Sequence, residues 1–204
     1  LFDNLALKVD PFATCKLADG WRLRLPLPDR VVFHYTLAGN GDLVVGSHET
    51  LELKPNTLAI IPPGLDHYIQ CGDVNNETGV DGQGDPNAPI CELVAGPVEE
   101  LTLIIACGRI QVNYAGGMGL FDHLKEAIVL GYSDSSRMRG IFESLIEEYR
   151  RAGAASAAMI AALMNQCLIL VLRRVSDEAQ GSLPWLSALE DPQLAGVIDE
   201  MLQH

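Results

Sequence analysis

The chain has 204 residues with 27 acidic and 14 basic side chains, a net charge of −13. This excludes strong nucleic-acid binding by the chain itself, because phosphate contacts need Lys and Arg, and it leaves no polybasic patch for an anionic membrane. The residues are 48% hydrophobic, enough for one large domain or one domain with a helical appendix.

The first two-thirds read as strands. "GWRLRLPLP" alternates Trp21, Leu23 and Leu25 with Arg22 and Arg24, a period of two. Gly39-Asn40-Gly41-Asp42 predicts a hairpin and Pro55-Asn56 a further turn, since these residues suit turn conformations. Strands and turns at this spacing predict a sandwich or barrel. Residues 72–90 are polar, glycine-rich and acidic and read as a long flexible loop. They do not match the ligand spacing of an EF-hand. Strand character returns at "CELVAG" and "ELTLIIACGRIQV".

After Gly116-Gly117 the period changes, and "LFDHLKEAIVL" reads as a short helix. The spacing of Met138, Ile141, Phe142, Leu145, Ile146 and Tyr149 predicts a helix behind a Ser/Asp cluster, ended or kinked by Gly153. A second helix over 154–175 is apolar on most faces, so it must be buried against the strands or another subunit. Asp191 and Pro192 would open a last helix.

The five cysteines, Cys15, Cys71, Cys91, Cys107 and Cys167, are odd in number and widely spaced. That argues against a zinc finger or disulfide framework and for a reducing compartment. No apolar run reads as long enough to cross a bilayer and no signal peptide is visible, so the cytoplasm is expected. Cys107, in an apolar strand, reads as a small hydrophobe rather than a redox sensor. Arg22 and Arg24 read as a solvated strand face, and His48 and His123 as solvent-contacting. No G-x-S-x-G, H-E-x-x-H, P-loop or helix-opening G-x-G-x-x-G occurs, so no catalytic motif is visible and an enzyme is not expected.

"NTLAIIPPGLDHYIQC" resembles the second motif of the cupins, G-x5-P-x-G-x2-H-x3-N. Pro62, Gly64 and His67 match in register; Asn56 stands in place of the glycine and Cys71 in place of the asparagine. Independently of the family, Pro62-Pro63-Gly64 forces a turn, and the strand behind it sends His67, Ile69 and Cys71 to one face. The first cupin motif is degenerate: Val32 holds the acidic position, no H-x-H precedes it, and His34 shares its face. The wider order of "GWRLRLP", "FHYTLAGNGDLVV", "LAIIPPGLDHYIQ", "IIACGRIQV" and "WLSALEDPQLAGVIDEML" is similar to AraC-type transcriptional regulators whose N-terminal sensor is a cupin.

The resemblance implies an α+β fold: a cupin-type β-barrel (a double-stranded β-helix or jelly roll) over residues 1–115, and a helical dimerisation and linker region over 116–204. It implies a homodimer that binds a small-molecule effector near His34, Thr36, His67, Ile69 and Cys71. DNA contact would come through a helix-turn-helix module that does not follow in this sequence, as if the chain were the sensor half of a longer regulator. His34 and His67, with Cys71 or Cys107, would also accept zinc or another divalent metal. The alternative function is a metal-dependent cupin enzyme, a dioxygenase or isomerase. His67 is expected to point inward with His34 facing it from a neighbouring strand.

Overall fold

The computed structural model describes residues 5–10, 12–46, 49–79, 91–114, 118–121, 124–151, 153 and 155–178. In chain order, β1 (Leu5–Val9), β2 (Ala13–Ala18), β3 (Trp21–Arg24) and β4 (Val31–Ala38) open the fold. Next come β5 (Gly41–Val45), β6 (Glu49–Leu53), β7 (Thr57–Ile61), β8 (His67–Cys71) and β9 (Asn76–Gly79). Then follow β10 (Cys91–Ala95), the long β11 (Leu101–Tyr114), β12 (Met118–Gly119) and β13 (Ile128–Gly131). Two helices complete the described chain, α1 (Ser136–Arg151) and α2 (Ser156–Glu178).

The strands form two facing sheets. The larger runs β10-β2-β11-β4-β7-β13, with β1 and β12 also paired to β11; the smaller runs β6-β5-β8-β3-β9. The fold is therefore α+β, and among the described residues the two sheets do not join into the closed barrel that the resemblance implies.

Several successive strands, β4 and β5 among them, lie in different sheets, which corrects the predicted hairpin at Gly39–Asp42. β4 lies in the larger sheet and β5 in the smaller, so this turn bridges the layers rather than pairing its flanking strands. Gly39 has φ +78°, and a Cβ there would collide with the Thr102 carbonyl, so a glycine is needed where the layers close. The Pro62-Pro63-Gly64 turn likewise carries the chain from β7 to β8 across the layers. The Gly64 N–H donates to the Pro28 carbonyl at 2.8 Å.

Two other expectations change. Within 72–90, Asn76–Gly79 forms β9, parallel to β3, so part of the expected loop is a sheet edge; residues 80–90 lie outside the described ones. The expected helix at "LFDHLKEAIVL" is not formed: Ile128–Gly131 pairs antiparallel with β7. Its β-branched Ile128 and Val129 suit an edge strand, and the short apolar run does not distinguish helix from strand by period alone. Strands beyond residue 115 therefore belong to the sheet layer. The last predicted helix, from Asp191, lies outside the described residues.

Each face of the larger sheet buries a core. The outer one joins Phe12, Phe33, Tyr35 and Leu58 to Met138, Ile141, Phe142 and Leu145 of α1, and to Met164, Cys167, Leu168, Val171 and Leu172 of α2. The inner one joins Leu17, Leu43, Ile61, Ile69, Leu103 and Ile105 between the sheets. The 3.6-residue spacing in α1 supplies its buried stripe. Arg150 and Arg151 in its last turn suit the helix dipole. The Ser156 hydroxyl accepts from the Gly153 N–H and donates to Glu148, each at 3.0 Å, tying the two helices together.

Over Ser156–Asp177, α2 is long and apolar enough, by length and composition, to cross a membrane. This corrects the expectation that no apolar run is long enough; Asn165 and Gln166 interrupt the apolar residues here. One stripe of it, Met164, Cys167, Leu168, Val171, Leu172 and Val175, packs in the outer core, while 28% of the apolar window as a whole is buried.

Candidate functional site

The inner layer opens at one end into a cavity of about 250 Å³. Leu25, Leu27, Pro28 and Val32 give it apolar walls, and His34, His67, Cys91, Cys107 and Arg109 supply the polar atoms. Strand alternation places these groups. On β4, Val32 and His34 face inward while Phe33 and Tyr35 face the helices. On β8, His67, Ile69 and Cys71 are buried while Tyr68 and Gln70 are half-exposed.

His34 and His67 meet with their Nε2 atoms 3.0 Å apart. They are 1% and 2% exposed, so neither imidazole relies on bulk water. They approach from opposite sheets, not from neighbouring strands as expected, because the turn before β8 changes layer. His67 Nδ1 lies 3.1 Å from the Leu65 carbonyl, which can only accept, so this nitrogen carries the proton. With both rings neutral, His67 Nε2 is then the acceptor and His34 Nε2 the donor. That leaves His34 Nδ1 as a buried acceptor, and it has no hydrogen-bond partner.

Burial holds the His34 pKa well below its ordinary value, and His67 lowers it further. Burial also lowers His67, opposed by its bond to the Leu65 carbonyl and by Asp66. The pair is therefore neutral at pH 7. At the mouth, Arg109 pairs with Asp10 at 3.4 Å and Asp29 at 3.7 Å, so the rim is charged while the wall is not.

The other predicted site residues are elsewhere. Thr36 is fully buried and Thr57 donates to its hydroxyl at 3.4 Å. Ile69 is in the inner core. Cys71 ends β8, four residues from His67, or roughly 13 Å along a strand. Its thiol contacts the Asn40 carbonyl at 3.5 Å and Thr102 Oγ1 at 3.6 Å. None of the three lines the cavity, and Cys71 is too far away to share a ligand with His67. Cys107, the other sulfur candidate, is the Cα partner of His34 across β11 and β4.

The sequence reading does not point to Arg109 at the mouth, nor to two cysteines of the site. Cys91 lines the cavity, and Cys15 lies behind Cys107 with its Sγ 2.7 Å away. The alternation of "ATCKLA" does place Cys15 on a buried face, but its neighbour is 92 positions away and local pattern does not reveal it. Arg22 sits on the outer side of the smaller sheet, over the Tyr68 ring at 4.0 Å and 3.5 Å from Glu77, as a solvated face predicts. His48, His123 and His204 lie outside the described residues.

The donor set does not fit the metal centre that a cupin implies. Among the described residues, no group of three or more His, Cys, Asp or Glu side chains is placed to hold a metal ion. Val32 stands where the acidic ligand would be, and the two Nε2 atoms are engaged with each other.

The family described as Cupin matches residues 1–177. No curated protein matches the chain significantly. Among solved structures, the chain is similar to apo ToxT from Vibrio cholerae at 9% identity and a TM-score of 0.46, over 85% of this chain and 57% of that one. It is also similar to a Pseudomonas aeruginosa protein named as glyoxylate-induced, at 15% identity and a TM-score of 0.34, over 65% of this chain and 42% of that one. The chain thus spans only about half the length of these two proteins, and at such scores the likeness carries no argument. The family match covers most of the sequence and agrees with the "IIPPGLDH" motif and the two-sheet fold: the chain belongs to the cupin family.

Proposed function

We propose that this chain is the ligand-sensing and dimerisation part of an AraC-type transcriptional regulator, with a small organic effector held in the cavity beside His34 and His67. The observation that carries the reading is a buried, neutral histidine pair at the wall of a cavity with one acceptor, His34 Nδ1, left without a partner. A core that only packs gains nothing from two imidazoles, since each brings ring nitrogens that need partners. An effector with a hydrogen-bond donor and an apolar body matches the apolar walls and this one acceptor. Its different affinity for two arrangements of sheet and helices would shift the population of dimers competent for DNA. DNA contact itself belongs to a helix-turn-helix module, because a net charge of −13 opposes it here. The lack of a fitting metal donor set among the described residues weighs against the metal-dependent enzyme reading.

The dimer contact is assigned to the outward side of α2. There Ala157, Ala158, Ala161 and Ala162 are exposed around Met159, itself 49% exposed. The first test is a thermal-shift screen of small donor-bearing organic compounds on the chain and on His67→Ala. Compounds that stabilise the parent chain should lose their effect in the variant. Equal shifts in both would remove the histidine pair from the effector site.

A further inference from the structure

We propose that Cys15 and Cys107 form a redox-active dithiol in the wall of the cavity, which a small two-electron oxidant of the hydroperoxide class closes to a disulfide. The proposal does not need the effector reading, and it revises the sequence-based view of Cys107 as a simple hydrophobe.

Three observations carry it. First, the two sulfurs are 2.7 Å apart. In the pairing of β2 with β11, Cys15 lies opposite Ile105 and Cys107 opposite Ala13. The cysteines are thus diagonal neighbours on the inward face of adjacent antiparallel strands. Closing to a disulfide length of about 2.0 Å asks for only a small side-chain adjustment.

Second, an oxidant can reach one of them. Cys107 lines the cavity, while Cys15 is completely buried behind it. The remaining cysteines are placed differently. The Cys167 thiol faces the Met138 sulfur at 3.7 Å in the outer core, and Cys71 is at the other end of β8. Cys91 also lines the cavity, diagonal to Cys15 on β10 and close enough that Cys15 raises its pKa, but the short sulfur contact of Cys15 is with Cys107.

Third, His34, the strand neighbour of Cys107, carries an acceptor nitrogen with no partner. With the His34 pKa lowered and the Cys107 thiol pKa raised, this nitrogen can serve a thiol only as a hydrogen-bond acceptor and not as its base.

The reaction balances as follows. The Cys107 sulfur attacks one oxygen of the hydroperoxide; an S–O bond forms and the O–O bond breaks. The departing oxygen takes the thiol proton, leaving as water when the oxidant is hydrogen peroxide. The sulfur of Cys15 then attacks that of Cys107; the S–S bond forms, the S–O bond breaks, and a second water leaves with the Cys15 proton. Two thiols lose two electrons and two protons, and the peroxide becomes two waters. Burial, followed by the contact with Cys15, pushes the Cys107 thiol well above its ordinary range. The thiolate is therefore scarce, and the pair answers concentrated oxidant rather than traces.

The experiment treats the purified chain with millimolar hydrogen peroxide, blocks the remaining thiols after denaturation and maps the peptides by mass. The expected result is a Cys15–Cys107 linked peptide, loss of two of the five alkylatable cysteines and reversal by dithiothreitol. Cys91→Ser should give the same linked peptide. Cys15→Ser should give no disulfide and a sulfenic acid on Cys107 that dimedone captures. A disulfide through Cys91, a disulfide between two chains, or five alkylatable thiols after treatment would each overturn the proposal. Because the native chain is mapped directly, the result stands even if a variant fails to fold.

Discussion

The two faces of β4 are built for opposite purposes. Its outward residues Val31, Phe33 and Tyr35 enter a core of rings and aliphatic chains under the helices. Tyr35 stacks on Phe142 with centroids 4.3 Å apart and planes 4° from parallel, and Phe33 meets Phe121 edge-on at 6.0 Å. The Tyr35 hydroxyl finds Asn56 at 3.2 Å, so even the polar atom is satisfied. Its inward residues Val32 and His34 face a cavity, a second histidine and a thiol pair. One face spends its residues on packing and the other leaves space and an unpaired acceptor. Stability is expected to reside outside the sheet and responsiveness inside it.

The largest effect should come from the outer face. Phe142→Ala removes the ring stacked on Tyr35 and should lower unfolding stability by about 3–5 kcal/mol. A urea titration reads this directly. A loss below about 1 kcal/mol would mean that α1 does not share a core with the sheet.

On the inner face, His67→Ala strands the His34 donor and should cost about 1–3 kcal/mol. Replacing both histidines by leucine removes the unsatisfied groups together and should cost less than the single change. A double variant that loses as much as the two single changes combined would deny the coupling between the rings.

Acid should act on the same face. The folded-state pKa values of both histidines are lowered from 6.5. The unfolded chain therefore binds more protons below about pH 6.5, and stability is full above that pH. It should fall as the pH drops through 6.5 towards the folded values, with a slope of up to about 1.4 kcal/mol per pH unit for each histidine that stays neutral. Thermal melts of the parent chain and the double-leucine variant between neutral and mildly acidic pH test this. The variant's curve should be the flatter one, and parallel curves would remove the histidines as the cause.

The smallest effect on stability is expected at α2. Met159→Glu places a charge on its outward side and should change unfolding stability by no more than about 0.5 kcal/mol. Sedimentation at micromolar concentration should show the parent chain at twice its 22.1 kDa mass and the variant at that mass. An unchanged dimer would move the interface elsewhere.

Much of the local architecture was legible in the sequence. Alternation in "HYIQC" sent His67 inward, and the Pro-Pro-Gly turn before it was plain. The spacing from Met138 to Ile146 predicted the buried stripe of α1. The misreadings were of another kind. Gly39–Asp42 was rightly a turn but wrongly a hairpin, because a turn signal does not say which strand its neighbours will pair with. Leu120–Leu130 reads as helix, but the short apolar run at its end, Ile128–Leu130, fits either period until β7 lies beside it.

By itself the sequence determined the acidic charge, the Pro62-Pro63-Gly64 turn and the faces to which residues such as His34 and His67 point. These follow from side-chain chemistry and from backbone geometry within a few residues. Only the tertiary structure decided that β4 and β8 belong to opposing sheets, so that the expected meeting of His34 and His67 across 33 positions runs between layers, and that β2 lies against β11, bringing Cys15 against Cys107 across 92. Pairing over such separations is set by the best joint burial of the two cores, a property of the whole chain that no local window contains.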